Sequence, residues 1–281
     1  MFADDTVLCA QNNNFSALEA EVNNELDKVS LWMASNKLTL NIKKSQYLIV
    51  SNKKYVPNLS IKIRNTPLIN CKSYKYLGLH FDEKLNWNNH LQHISTKIAK
   101  ACGVLAKLRH CVPIQTLVDV YNALVHSYIR YGVLLWGSAS DAALKPLCTL
   151  INKTIRIISF APYGNFNISQ IYKELNLLNI QGTFSLELGK FAFKEKHELL
   201  PTKIGNHFQT TTNFSSHAYN TRTSNLINPS KMSFRLSSSK KSVQFQSTTL
   251  WEALPTDLKC SESVQIFKRK YKKALISDLA E

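Results

Sequence analysis

The sequence predicts an α+β protein, with a helix packed on a small antiparallel sheet over residues 1–89 and helices thereafter. Three observations carry that prediction. Leu18, Val22, Leu26, Val29 and Met33 recur at the spacing of one helix face. Leu77, Leu79 and Phe81 alternate with other residues, as on one buried face of a strand. From Trp87 onward the apolar residues return to a helical period.

The elements follow in order. Ser16 and Glu19 have capping-box spacing, so a helix is expected over residues 17–35, with Asn36 as a left-handed C-terminal cap. Gln46 to Ser51 reads as a strand, and Leu59 to Asn70 as a hairpin turning at Asn65-Thr66-Pro67. Leu91, Ile94, Ile98, Leu105 and Leu108 line one face of a helix. Pro113 suits the first turn of the next, whose apolar positions include Leu117, Tyr121, Leu124 and Tyr128. Leu144, Leu147, Ile151, Ile155 and Ile158 mark a third, and two more helices are expected near Ser169–Leu178 and Thr183–Leu199. Residues 206–249, rich in Ser, Thr and Asn, read as long loops or disorder. The division is thus 1–89, a helical 90–200, and a polar, basic 201–281.

Charge narrows the function classes. The net charge is +16, and residues 90–281 carry 24 Lys/Arg against 11 Asp/Glu, a net of +13. Such asymmetry is an electrostatic footprint for polyanions, although a solubilising surface produces it too. The most apolar stretch, Val118 to Ala139, is interrupted by His126, Arg130 and Gly132, so no membrane span is expected. A secretory signal is not apparent, and the six cysteines are scattered without a Cys-x-x-Cys pair. An intracellular protein, nuclear or cytoplasmic, is expected.

Phe2-Ala3-Asp4-Asp5-Thr6 places two carboxylates together. Hard oxygen ligands of this kind suit Mg²⁺, and an Asp-Asp pair suits a solvated turn equally. Downstream come Trp32-Met33-Ala34-Ser35-Asn36-Lys37-Leu38-Thr39-Leu40-Asn41-Ile42-Lys43-Lys44-Ser45, then Tyr76-Leu77-Gly78-Leu79-His80-Phe81-Asp82 with Trp87, and Tyr131-Gly132-Val133-Leu134-Leu135-Trp136-Gly137. His217-Ala218-Tyr219-Asn220-Thr221-Arg222 and Leu250-Trp251-Glu252-Ala253-Leu254-Pro255 follow. In this order the motifs resemble the reverse transcriptase (RNA-directed DNA polymerase) of jockey-like non-LTR retrotransposons.

That resemblance implies a partial palm with a catalytic hairpin, then a helical thumb and a C-terminal region. It implies Asp4 and Asp5 as Mg²⁺ ligands, Lys44 as a general acid toward the leaving group, and an RNA template with a DNA primer as partners. Lys43, Lys53 and Lys54 lie near Lys44, and an ordinary basic surface accounts for all four. Tyr76 and Gly78 fall in a primer-grip-like segment, as stacking aromatic and close-approach glycine; Tyr76 and Trp87 also suit a core. Lys97, Lys100, Lys107 and Arg109 read as contacts to a duplex backbone, or as a solvated face. Tyr128, Tyr131 and Trp136 read as thumb core. The family's third metal-binding Asp lies upstream of the hairpin, so a C-terminal fragment without polymerase activity of its own is expected. A non-catalytic RNA- or DNA-binding module and an unselected transposon relic are the alternatives.

Overall fold

The computed structural model describes residues 5–161, 167–202, 204 and 239–278. They are α+β, as expected, and divide into two compact units, Met1–Asn89 and His90–Glu281.

In the N-terminal unit, helix α1 spans Phe15–Ser35. Its N-cap is Asn14, whose side chain accepts from the Ser16 amide at 2.9 Å, so the capping box at Ser16 does not form. Asn caps a helix as well as Ser does, and Glu19 is engaged elsewhere. Its carboxylate accepts from the Ser60 amide at 3.1 Å, while Asn23 donates to the Ser60 carbonyl and accepts from the Lys62 amide. Side chains of α1 therefore satisfy the backbone edge that carries Leu59, Ile61 and Ile63 into the core. At the other end Asn36 has φ −90°, and the left-handed residue is Lys37.

The strands are short and pair two by two. β1 (Gln46–Tyr47) lies parallel to β4 (Ile69–Asn70), which replaces the antiparallel sheet expected there. β2 (Lys62–Ile63) and β3 (Thr66–Pro67) form a hairpin that turns at Arg64-Asn65, one residue earlier than the sequence suggests. Both turn residues have positive φ, the geometry that matches strand twist. Pro67, which has no amide hydrogen, sits opposite Lys62, and the pairing resumes beyond it where the Leu68 amide donates to the Ile61 carbonyl at 2.8 Å.

β5 (Ser73–Tyr76) and β6 (Leu79–Asp82) form a second hairpin around Leu77-Gly78, again with both φ values positive. Gly78 thus serves a turn, and Leu77 sits exposed in it rather than on the buried face of β6. Asp82 is buried and organises the chain that follows. Its Oδ1 accepts from the amides of Lys84 and Asn86, and its Oδ2 from that of Trp87 at 3.0 Å. Trp87 is buried in consequence, its ring 5.4 Å from that of Phe81.

The C-terminal unit is helical. α2 (Asn88–Leu108) buries Leu91, Ile94, Ile98 and Leu105. α3 (Ile114–Tyr121), with Pro113 at its N-cap, runs through a π-helical stretch, Asn122–His126, into α4 (Ser127–Arg130). A π turn takes up one extra residue and shifts the phase of everything after it. Val125 and Ile129 therefore enter the core, and the expected Leu124 and Tyr128 face solvent. α5 (Val133–Trp136) follows Gly132, whose φ is +63°. Trp136 is fully buried and its indole N–H donates to the Tyr131 carbonyl at 3.0 Å, which leaves the Tyr131 ring exposed rather than in the core. A Cβ on Gly137 would collide with Phe184 Cδ2 and stand 2.6 Å from the Val133 carbonyl oxygen.

α6 (Asp141–Ser159), capped by Ser140, buries the five apolar residues its period selects. α7 (Ile168–Glu174) and α8 (Ile180–Lys196) come next. The later part of 206–249 is ordered rather than looped. α9 (Val243–Ala253) packs on α8, and α10 (Thr256–Lys259) leads to α11 (Val264–Asp278), which packs on α8 as well. Leu186, Phe193, Trp251, Leu258, Phe267 and Tyr271 form one apolar cluster, so residues 243–278 belong to the helical core. The His217–Arg222 motif lies outside the described residues.

Two substitutions test the roles of Asp82 and Gly137. Asp82→Ala strands three amides and should cost about 2–4 kcal/mol, read as a lower urea midpoint at unchanged slope. Asp82→Asn, which keeps one acceptor oxygen, should cost less. Gly137→Ala should cost on the order of 1–3 kcal/mol by overpacking.

Candidate nucleic-acid interface

The residues expected to carry chemistry sit on the small N-terminal unit. Asp4 lies outside the described residues. Asp5 is exposed and held by a single β-bridge. Among the described residues no three His, Cys, Asp or Glu side chains converge as metal ligands.

Lys44 ends a one-turn 3-10 helix, Ile42–Lys44, and is exposed. Asn41 builds that turn: its side chain accepts from the Lys44 amide at 3.3 Å, and its carbonyl accepts from Ser45 Oγ at 3.0 Å. The Asn and Ser of the motif are thus scaffold, and the turn they close presents Lys43 and Lys44 to solvent. Tyr76 is half-buried at the end of β5, beside the exposed Gly78.

In the C-terminal unit, Lys97, Lys100 and Lys107 are exposed on α2. At the helical rise they span about 15 Å along one side of the helix, away from the buried stripe of Leu91, Ile94, Ile98 and Leu105. A row of ammonium groups on a rigid rod suits a polyphosphate backbone, which also carries charge at regular spacing.

Arg109 leaves that row. It lies seven residues after the buried Cys102, hence near the apolar phase of α2. Its guanidinium packs over the Phe160 ring, 4.4 Å from the centroid, and His110 meets the same ring edge-on. Phe160 caps α6 with φ +56°, a conformation that bulky residues seldom adopt. The aromatic partner is some fifty residues away, so no local pattern announces it.

No family model matches, and no solved structure does. The chain is 27% identical over 168 residues to the RNA-directed DNA polymerase from mobile element jockey of Drosophila melanogaster, covering 58% of this chain and 18% of that protein. It is 24% identical over 157 residues to the probable RNA-directed DNA polymerase from transposon X-element of the same fly, covering 54% and 17%. A Pol polyprotein from the type-1 retrotransposable element R1 2 of Nasonia vitripennis matches at 21% over 114 residues, covering 38% and 27%. The chain is therefore similar to the RNA-directed DNA polymerases of non-LTR retrotransposons, and the matched stretches span less than a third of each relative.

The geometry separates two kinds of basic residue. Arg109→Gln should cost about 0.5–1 kcal/mol because the cation–π stack on Phe160 is removed, and should leave the salt dependence of nucleic-acid binding unchanged. Lys100→Gln should do the reverse. Thermal melts beside binding titrations at several salt concentrations check both.

Proposed function

We propose that this chain is part of an RNA-directed DNA polymerase of a non-LTR retrotransposon. In this reading the N-terminal unit is palm and the C-terminal unit is thumb, gripping the RNA template and DNA primer through Lys97, Lys100 and Lys107. Similarity to the jockey and X-element polymerases is the observation that carries it, and the exposed lysine row on α2 supports assigning the grip to that helix.

Duplex holding, rather than chemistry, is the role these residues are equipped for. A row of lysines on the longest helix of the unit needs no further group to bind phosphates. Lys44, exposed beside Lys43, supplies basic surface near the hairpin in this reading. Asp4 and Asp5 are the candidate Mg²⁺ ligands of the assembled polymerase, yet the described residues supply no partner set for them.

Binding of a labelled RNA–DNA hybrid by the full chain, measured by anisotropy over a salt series, tests the grip. Each phosphate left without its lysine should flatten the log–log salt slope by about 0.9, so the triple Lys97→Gln, Lys100→Gln, Lys107→Gln variant should bind with a slope shallower by roughly 2–3. An unchanged slope in a folded triple variant would refute it. Primer extension on an RNA template with Mg²⁺ tests the second half. None is expected from the chain alone, and extension abolished by Asp4→Ala with Asp5→Ala would refute that part.

A further inference from the structure

α4 and α8 bring two basic side chains onto one carboxylate, and the π-helical stretch and α11 add His126, Lys268 and Lys272 within electrostatic reach of that group. Arg130 Nε lies 2.7 Å from Glu187 Oε1, and Lys190 Nζ lies 2.6 Å from Glu187 Oε2. From α11 come Lys268, which is exposed, and Lys272, whose ammonium donates to the Asn176 carbonyl at 2.8 Å. His126, at the end of the π-helical stretch, places Nε2 3.5 Å from Thr183 Oγ1 on α8. The phenol of Tyr121, stacked near His126, is fully buried, and its oxygen has no hydrogen-bond partner among the described residues.

Arg130 and Lys190 thus share one anion while Lys268 and Lys272 add positive charge beside them, and Glu187 and Lys190 are largely buried, at 16% and 13% side-chain exposure. Like charges held together away from water are costly unless a counter-charge joins them. The strain shows in the titrating groups. Lys190 is held below its usual range by burial and by the charges of Arg130 and Lys268, against the pull of Glu187. Burial and Lys268 do the same to Lys272. His126 is pushed down by burial and by Arg130, Lys272 and Lys268, with Glu187 opposing. Burial pushes Glu187 up, but Lys190 and Arg130 overcome it and hold the carboxyl below its usual range. A phosphate bears the charge that this arrangement lacks, and Arg130 offers further N–H donors in a fork suited to it.

We propose that Arg130, Lys190, Lys268 and Lys272 form a second phosphate-binding cleft that takes the backbone of an RNA strand, separate from the lysine row on α2. The proposal rests on the polynucleotide-binding reading above and adds a site made by three helices. Glu187 preorganises Arg130 and Lys190 while the cleft is empty and competes with phosphate for them.

The test is binding of a labelled single-stranded RNA to the full chain across a salt series. Lys268→Gln with Lys272→Gln should flatten the log–log slope by about 0.7 for every phosphate no longer neutralised, and should do so equally in the background of the triple α2 variant. Glu187→Gln should tighten binding several-fold, the opposite sign to a folding defect. In the wild-type protein, saturating RNA should raise the His126 pKa, followed by NMR titration of its ring protons, because phosphate then faces the cations that depress it. Inorganic phosphate at equal phosphate concentration should move His126 far less, which separates a strand from a free ion. The cleft is refuted if folded Lys268→Gln/Lys272→Gln keeps the wild-type slope, if Glu187→Gln weakens binding, or if RNA leaves His126 unmoved. Should any of these occur while the triple α2 variant still flattens the slope, only the cleft fails; should the chain bind no RNA, both readings fail.

Discussion

Burial of α8 on two sides is the constraint on which the C-terminal unit depends. One side receives α4 and α5, where Gly137 lets Phe184 approach the backbone. The other receives α9 and α11, where Phe193 meets Trp251 and Phe267. Along α8 only Gln181 and Lys194 are exposed, and a helix covered so nearly all round needs a layer on each side. Residues 243–278 are therefore one of the walls that make α8 possible, rather than a tail. The same sandwich sets Arg130 of α4 and Lys190 of α8 itself against Glu187.

The π-helical stretch decides which residues around it turn inward. With a continuous α-helix from Ile114, Leu124 and Tyr128 would point inward. The extra residue taken up at Asn122–His126 sends Val125 and Ile129 inward instead, each almost fully buried. It also brings His126 against Thr183 on α8. Such insertions recur at functional sites because they re-aim side chains that a regular helix would turn away.

Much of the scaffold was legible in the sequence, for reasons of period. α2 and α6 bury stripes that a 3.6-residue repeat selects, and no local feature competes with it. Boundaries were less legible where several residues could do one job: Asn14 and Ser16 both cap well, and only the demand of Ser60 for Glu19 decides between them. The motif residues were legible as important but not as what they are. Asn41 and Ser45 close a turn, Gly78 bends a hairpin, Asp82 gathers three amides, and Gly137 makes room for Phe184. The stack of Arg109 on Phe160 and the pairing of Arg130 with Glu187 had no linear signal, since each joins residues distant in the chain.

The two units differ in how firmly they hold what they carry. The N-terminal unit rests on two- and four-residue strand pairs, and it leaves Leu31, Trp32, Tyr55 and Ile69 exposed. Two-stranded pairs are marginal in water, and this unit leans on α1 side chains that satisfy a strand edge. The C-terminal unit has a continuous core with Ile98, Leu105, Leu117, Tyr121, Trp136 and Ile155 all but excluded from solvent. Positioning reactive groups demands a rigid frame, whereas neutralising a charged strand demands only cations fixed on one. The lysine row of α2 and the ion pairs of Glu187 have that frame, and Asp5, exposed on a single β-bridge in the weaker unit, does not. The physical division of the chain therefore favours strand holding as the proposed role of the C-terminal unit, whose cations stand on the firmer frame.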